Sequence, residues 1–316
     1  MPGLLRRAVT SAAVTYALAP VVRRTMIAAG TLDVPNHRSS HTTPIPRGGG
    51  IACLAGAGAA LALAPRPVPV RDLAAIGALA AIGFADDRMG GLPPSPRLLA
   101  QTGAGLVCGL RHSPFAAVAG VVLVPGVVNV VNFMDGINGI SGSTALVWGA
   151  LALTGEDYSE PARALGAATA GAGLGFLPHN VPQASLFLGD VGSYLLGALM
   201  SVALVEAATS PTRALRLGAP LLPYAVDAAQ AIVRRARRGE PLFEAHREHV
   251  YQRLVDEQGV SHTQMSTAHA LVALTTGLLA RSRHPVVAIG GSIVVLGAYA
   301  AAPTVARRLR THEEAS

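Results

Sequence analysis

Carboxylates that could take part in catalysis stand at the ends of apolar stretches in this chain. Asp86 and Asp87 are adjacent. Neighbouring acids repel each other, and a divalent metal ion or a basic ligand is the natural compensator. Arg88 and Arg97 lie nearby as alternative, purely structural partners. The acidic pair therefore indicates either a site that uses a cation or a structural pairing with one of these Arg residues.

The richest polar segment carries four amide or carboxylate side chains at a spacing of three, namely Asn129, Asn132, Asp135 and Asn138. In a helix, this spacing puts neighbouring side chains on one face. Amide and carboxylate oxygens are hard ligands that suit Mg²⁺, and amides can also read the edge of a base. Hydrogen bonds from Asn to a neighbouring membrane helix are the alternative. The interspersed glycines, which allow close approach of a ligand, favour a binding site.

Asp190 begins another apolar stretch, between the glycines of Gly-Asp-Val-Gly-Ser. An Asp that caps a helix is the simpler interpretation. A metal-binding carboxylate beside backbone amides that bind phosphate is the functional one. Arg47 belongs to a Pro-Arg-Gly-Gly-Gly turn that could also cradle phosphate, although it lacks the full P-loop pattern.

The last polar group contains His246, Arg247 and His249, and it follows the Arg-rich segment 234–238. Arg recognises phosphate through paired hydrogen bonds, and His can donate to phosphate oxygens. Two His residues could instead bind Zn²⁺, but no Cys or third His is placed to complete that site. The Arg-rich segment by itself is typical of an anchor that contacts lipid headgroups.

The composition places these groups in a membrane protein. The 316 residues are 51% hydrophobic and 14% charged, with a mean hydropathy of +0.43. A soluble domain has about 25% charged residues. High hydrophobicity excludes disorder, and two Cys are too few for a disulfide scaffold. The net charge is +7 and every basic residue is Arg, but these residues are scattered, so nucleic-acid binding is not expected.

About eleven apolar stretches approach the length of roughly 20 residues that a helix needs to span a bilayer. We therefore predict an all-α fold, a polytopic membrane bundle of about 10–11 transmembrane helices, with residues 1–316 as a single integral membrane domain. A secretory signal is the alternative interpretation of the first stretch. The centres of the stretches lie near Ala13, Leu54, Leu79, Val107, Leu123, Leu146, Gly171, Leu199, Leu222, Val272 and Val294.

Arg residues are more frequent in the connections that follow odd-numbered stretches and in the C-terminal tail. The positive-inside rule puts these segments in the cytoplasm and the N-terminus outside. Ionisable groups at membrane depth are costly and usually functional, so polar clusters that share one face predict an active site there. The predicted cytoplasmic loops are about 23–48, 85–97, 132–143, 178–190 and 234–265.

Taken together, these motifs resemble those of the polyprenyl-phosphate N-acetylhexosamine-1-phosphate transferases, which include the phospho-MurNAc-pentapeptide translocase. The resemblance extends from about Asp33 to Leu254, and the motifs follow one another in the family's order. The five matching segments are 33–50, the Asp86-Asp87 pair, 129–139, 189–193 and 246–254.

Two departures leave the sugar open. Asn138 stands where bacterial members usually have Asp. The His246–His249 loop lacks the multi-His run of the peptidoglycan translocase and of the GlcNAc-type enzymes. It is more similar to the subgroup that transfers amino-deoxyhexose phosphates for surface polysaccharides.

The resemblance implies a glycosyltransferase that moves HexNAc-1-phosphate, or a related amino-deoxyhexose-1-phosphate, from a UDP-sugar to undecaprenyl phosphate and releases UMP. This reaction would start cell-envelope polysaccharide synthesis at the cytoplasmic face of the cell membrane. The implied cofactor is Mg²⁺, with Mn²⁺ as its substitute. The implied partners are the UDP-sugar, the polyprenyl phosphate and membrane lipids, and a homodimer is compatible with them.

The resemblance also assigns roles to residues. Asp190 would be the first Mg²⁺ ligand and Asn132 the second, and Asn138 would read uracil. The acidic pair would position the lipid phosphate or take its remaining proton. The implied catalytic residues are Asp86, Asp87, Asp135, Asp190 and His249. The implied substrate-binding residues are Asn129, Asn132, Asn138, Arg47, His246 and Arg247.

Two other functions remain open from sequence. One is the phospho-MurNAc-pentapeptide transferase of peptidoglycan synthesis. The other, from a different class, is a transporter for an anionic solute, which predicts charges near mid-membrane and two repeated halves. The sequence shows no such repeat, and its acids lie towards one face.

Overall fold

The computed structural model describes residues 1–35, 42–240 and 248–313. Within these ranges the chain is almost entirely helical. Its two short strands, β1 (Leu32–Asp33) and β2 (Ile45–Pro46), pair in antiparallel fashion. The helices are α1 (Pro2–Ala28), α2 (Gly50–Ala62), α3 (Val70–Met89), α4 (Pro94–Leu110), α5 (Pro114–Met134), α6 (Ile140–Thr154), α7 (Glu160–Phe176), α8 (Gly189–Ala207), α9 (Pro211–Gly218), α10 (Leu222–Arg238), α11 (Val250–Gln258), α12 (His262–Leu279) and α13 (Gly291–Glu313).

The helix boundaries follow from local chemistry. Helix α5 begins where the Ser113 hydroxyl accepts a hydrogen bond from the Ala116 amide, with Pro114 in the first turn. Such caps satisfy amides that have no partner within the helix, and Pro has no N–H to lose. Helix α3 ends at Gly90, whose φ of 71° is left-handed. Glycine adopts this conformation without steric cost, so the chain turns there.

Each predicted apolar stretch falls within a helix, although Leu222 is the first residue of α10 rather than its centre. Among the described residues, three helical segments are long and apolar enough to cross a membrane: Pro114–Met134, Gly189–Ala207 and Val286–Arg310. The predicted all-α polytopic membrane fold is thereby confirmed. Several other helices are shorter than the roughly 20 residues of a full span, so the number of crossings stays a prediction.

Helix α8 lies at the centre of the bundle. Its apolar window is 89% buried, whereas that of the C-terminal helix is 17% buried. Neighbouring helices approach its backbone at glycines, since a Cβ on Gly83 would lie 2.2 Å from the carbonyl oxygen of Asp190. A Cβ on Gly50 would lie equally close to the Cα of Gly192. Small residues allow such close packing in lipid. As a result, α2 and α3 are held directly against the first turn of α8.

Candidate active site

The first turn of α8 is fixed by an acid from α3. The backbone amides of Asp190 and Val191 donate to the two carboxylate oxygens of Asp87, each at 3.0 Å. A helix N-terminus has unpaired amides and a positive end of its dipole, so a carboxylate there is stabilising. Only 3% of the Asp87 side chain is exposed. Asp87 therefore joins α3 to α8 at the predicted site.

Asp86 points in another direction from its neighbour. Its carboxylate accepts from the Leu92 amide and forms a 3.1 Å ion pair with Arg97. It also faces the carboxylate of Asp190, close enough for a hydrogen bond if one of the two were protonated. Two facing carboxylates repel unless a cation or a proton lies between them. The arrangement therefore suits a bound cation.

Asn132, at the end of α5, orients Asp190. The Asn132 amide nitrogen donates to Oδ1 of Asp190 at 2.8 Å and to the Ser193 hydroxyl at 3.0 Å. Both predicted metal ligands are thus in direct contact, although they are 58 residues apart in the chain. The amide carbonyl of Asn132 is the ligand atom that this side chain could offer to a cation.

Arg47 supplies a second positive charge beside these acids, in addition to Arg97. The Phe187 carbonyl accepts hydrogen bonds from the amides of Gly48 and Gly49, which holds the Arg47 turn beside the start of α8. The Arg47 guanidinium pairs with Asp33 at 3.0 Å and lies 3.8 Å from Asp87. About a third of its side chain is exposed (34%), so it can also meet an incoming phosphate.

The oxygen donors at this site are of the kind that Mg²⁺ binds. Among the described residues, no three His, Cys, Asp or Glu side chains are grouped as a metal site. Mg²⁺ does not require such a group, because it commonly keeps several waters and binds one or two carboxylates together with substrate phosphates. The facing carboxylates of Asp86 and Asp190, with the amide of Asn132, fit that requirement.

Asn129 lies apart from this cluster. Its amide nitrogen donates to Gln101 at 2.7 Å and to the Pro125 carbonyl at 2.8 Å. The Gln101 amide donates back to Asn129 at 3.4 Å, and Gln101 is fully buried. This reciprocal amide pair joins α4 to α5. Its contacts match the helix–helix alternative raised by the sequence.

The loop after α5 holds the next two predicted residues. Desolvation raises the pKa of Asp135 to about 6, although part of its surface stays accessible. The Asn138 side chain donates to the Pro182 carbonyl at 3.1 Å, and the Asn138 amide meets Nδ1 of His262 at 3.3 Å. Asn138 therefore lies beside the 177–188 connection and the start of α12.

His249 belongs to a buried network whose acid the sequence analysis missed. Its Nδ1 lies 2.8 Å from Oδ1 of Asp227, a completely buried residue of α10. An ionisable residue inside an apolar stretch is a signal that could have identified Asp227 from sequence. The predicted ligands His246 and Arg247 lie outside the described residues.

Comparison with known proteins gives a consistent result. Residues 72–208 match the family described as glycosyl transferase family 4. The chain is 29% identical to the decaprenyl-phosphate N-acetylglucosaminephosphotransferase of Mycobacterium tuberculosis, over 94% of this chain and 88% of that protein. The Mycolicibacterium smegmatis protein of the same name is also 29% identical, over 86% and 79%.

A more distant relative comes from Bacillus subtilis. It is named a probable undecaprenyl-phosphate N-acetylglucosaminyl 1-phosphate transferase, and the two chains are 26% identical over 78% of this chain and 75% of that one. The region that matches the family, residues 72–208, contains the acidic pair, the Asn-rich segment and Asp190. These matches bear out the resemblance that the five motifs predict, which is to the polyprenyl-phosphate N-acetylhexosamine-1-phosphate transferases.

Proposed function

We propose that this protein transfers a HexNAc-1-phosphate, or a related amino-deoxyhexose-1-phosphate, from a UDP-sugar to a polyprenyl phosphate. The observation that carries the proposal is the pair of facing carboxylates, Asp86 and Asp190, next to Asp87 and its neighbour Arg47. The printed names of the relatives support a polyprenyl phosphate as the acceptor. They support phospho-sugar transfer as the reaction class.

The reaction exchanges one phosphorus–oxygen bond for another. An oxygen of the lipid phosphate forms a bond to the sugar-bearing phosphorus of the donor. The bond from that phosphorus to the UMP oxygen breaks, and its electron pair leaves with UMP. Both substrates are anionic, so positioning and charge stabilisation account for most of the catalysis in such transfers.

Asp190 is the residue we assign to hold Mg²⁺, with Asp86 facing it and Asn132 orienting it. When bound, the ion neutralises negative charge on the pyrophosphate and on the departing UMP. Arg47, exposed beside these acids, would bind a phosphate oxygen through its guanidinium.

In this proposal, the remaining residues position the helices of the site or bind the substrates. Asp87 keeps the start of α8 against α3 through its two amide contacts. Asn138 would read uracil from its place beside the 177–188 connection. His249 would meet the sugar phosphate, together with His246 and Arg247.

The site stands where α3 and α5 end and α8 begins. At helix ends, a nucleotide sugar would arrive from water and a lipid phosphate from the bilayer. The Arg distribution puts this face in the cytoplasm of the predicted topology. We accordingly propose that transfer takes place at the cytoplasmic face of the cell membrane.

One assay tests the proposal. The purified protein in lipid nanodiscs is incubated with undecaprenyl or decaprenyl phosphate, Mg²⁺ and a panel of UDP-HexNAc and UDP-amino-deoxyhexose donors, and UMP is measured. We expect UMP release that needs both the lipid phosphate and at least one donor. Absence of release with every donor would refute the transferase proposal.

Asp190→Asn tests the site within the same assay. Loss of an electrostatic group at a reacting centre costs about 10²–10³-fold in kcat. Asp157→Asn is the matched control, because Asp157 is an exposed partner of Arg216 and surface pairs contribute little. We expect less than about a two-fold change for this control. Equal activities of the two variants would remove Asp190 from the reaction.

A further inference from the structure

A second acidic centre lies between α10 and the three helices that follow it. Its carboxylate, Asp227, is completely buried and receives three donors. Oδ1 is 2.8 Å from Nδ1 of His249 and accepts from the Val250 amide at 2.9 Å. Oδ2 accepts from the Tyr299 hydroxyl at 2.9 Å. Buried carboxylates are tolerated when they are paired in this way.

The donors around Asp227 determine which nitrogen of His249 carries a proton. An ionised carboxylate only accepts hydrogen bonds, so the contact at Nδ1 requires a proton on that nitrogen. A neutral imidazole with a proton on Nδ1 presents Nε2 as an acceptor. The carboxylate thus sets both the orientation of the ring and its tautomer.

Tyr299 extends the network to α12. Nδ1 of the fully buried His269 lies 3.1 Å from the Tyr299 hydroxyl. Because Tyr299 gives its own proton to Asp227, it accepts from His269. The hydrogen bonds therefore run in one direction, from His269 through Tyr299 to Oδ2 of Asp227, whereas His249 contacts Oδ1.

His249 is held beside the loop that follows α5. It stacks on Tyr251, with the ring centroids 5.4 Å apart. The Tyr251 hydroxyl donates to the Phe133 carbonyl at 3.4 Å, and a Cβ on Gly136 would collide with that hydroxyl. Helix α11 is thereby seated on the segment that contains Asp135. The imidazole therefore lies next to the helix that contacts the loop after α5.

We propose that Asp227 is a positioning residue that fixes the tautomer and orientation of His249, with Tyr299 as the donor that orients Asp227. The proposal rests on the proposed transferase function for its kinetic consequence. Its structural part, the proton on Nδ1 of His249, does not depend on any activity. Mutation of a partner that orients a functional His typically lowers activity by about 10–100-fold.

Nitrogen NMR of protein with ¹⁵N-labelled His tests the structural part. The His249 signals are assigned by their loss in His249→Gln. We expect a protonated Nδ1. An unprotonated Nδ1 with a proton on Nε2 overturns the proposal, whether or not UMP release is ever observed. Failure of the transferase assay alone leaves this readout intact, so the two failures can be told apart.

A double-mutant cycle tests the kinetic part. Asp227→Asn keeps the shape of the side chain but cannot accept all three hydrogen bonds. We expect kcat to fall by about 10–100-fold in the wild-type background and by less than about three-fold in the His249→Ala background. Equal losses in both backgrounds would show that Asp227 does not act through His249, and would overturn the proposal.

If Asp227→Asn does not fold, Tyr299→Phe tests the same proposal. This variant preserves the contact between Asp227 and His249 and removes only the donor to Oδ2. We expect a kcat loss of about two- to ten-fold that disappears in the His249→Ala background. A loss of the same size in both backgrounds, or no loss in either, contradicts the proposal. Thermal melting in nanodiscs verifies the fold of every variant.

Discussion

Replacing Asp87 with Asn separates two roles that an acid can have beside a lipid phosphate. One role is that of a base that takes the remaining proton of the acceptor. The other is to hold the start of α8, as its contacts with the amides of Asp190 and Val191 indicate. The two roles predict different pH dependences, so the same variant discriminates between them.

The size of the effect follows from the contacts. A hydrogen bond to a charged group contributes about 1.5–3 kcal/mol. Asn retains one oxygen but turns its own N–H groups towards the second amide, so one of the two bonds is lost. Water does not replace it, because the Asp87 side chain is 3% exposed. If the loss falls on the transition state, kcat/KM drops by about ten- to hundred-fold.

The measurement is UMP release by Asp87→Asn between pH 6 and pH 8.5. A phosphate monoester has a second pKa of about 6, so the acceptor needs no base above that value. We expect the loss to be the same at every pH, together with a lower melting temperature. Recovery of activity above about pH 7.5, with a wild-type melting temperature, would refute the positioning role. It would instead support Asp87 as the base that deprotonates the acceptor.

Three further predictions follow from the contacts described above. Gly83→Ala should reduce activity more than about 100-fold, because its Cβ meets the Asp190 carbonyl. Gly77→Ala on the same helix has open space and should stay within about two-fold. Asn129→Ala should lower stability by about 1–3 kcal/mol and leave KM for the UDP-sugar unchanged, whereas a large rise in KM would mean that it binds substrate. Asp135 has its folded pKa raised to about 6 from an ordinary 3.8, so its contribution favours folding below about pH 4 and is lost as the pH rises through 6. Asp135→Asn should remove this pH dependence from the melting curve, and an unchanged curve would contradict the assignment.

The sequence alone was sufficient for the helical membrane fold and for the meeting of Asp190 with Asn132. The family resemblance implied that contact, because it assigned both residues to one Mg²⁺ ion. The different contacts of Asp86 and Asp87 could not be predicted in the same way. Successive helical residues point about 100° apart. Asp86 therefore faces Asp190 and Arg97, while Asp87 meets the backbone of α8.

Two other features depend on packing that no local pattern shows. The spacing of three suggested that Asn129 and Asn132 share a face, but three residues fall short of a full helical turn. That small rotation is enough to direct Asn129 to Gln101 on α4. Asp227 is an ionisable residue in an apolar stretch, but no sequence pattern links it to His249, which lies 22 residues later, beyond the Arg-rich segment. Only the fold brings the two together.

The distances along the chain between the partners of the two acids have a consequence for biosynthesis. Asp86 finds Arg97 only 11 residues later, so its ion pair can form soon after α4 begins to emerge from the ribosome. The backbone amides that Asp87 binds are more than 100 residues later in the chain, so they are synthesised much later. Until α8 enters the bilayer, the cluster around Asp190 does not exist. An incompletely translated protein is therefore unable to carry out transfer, even with most of its earlier helices in place.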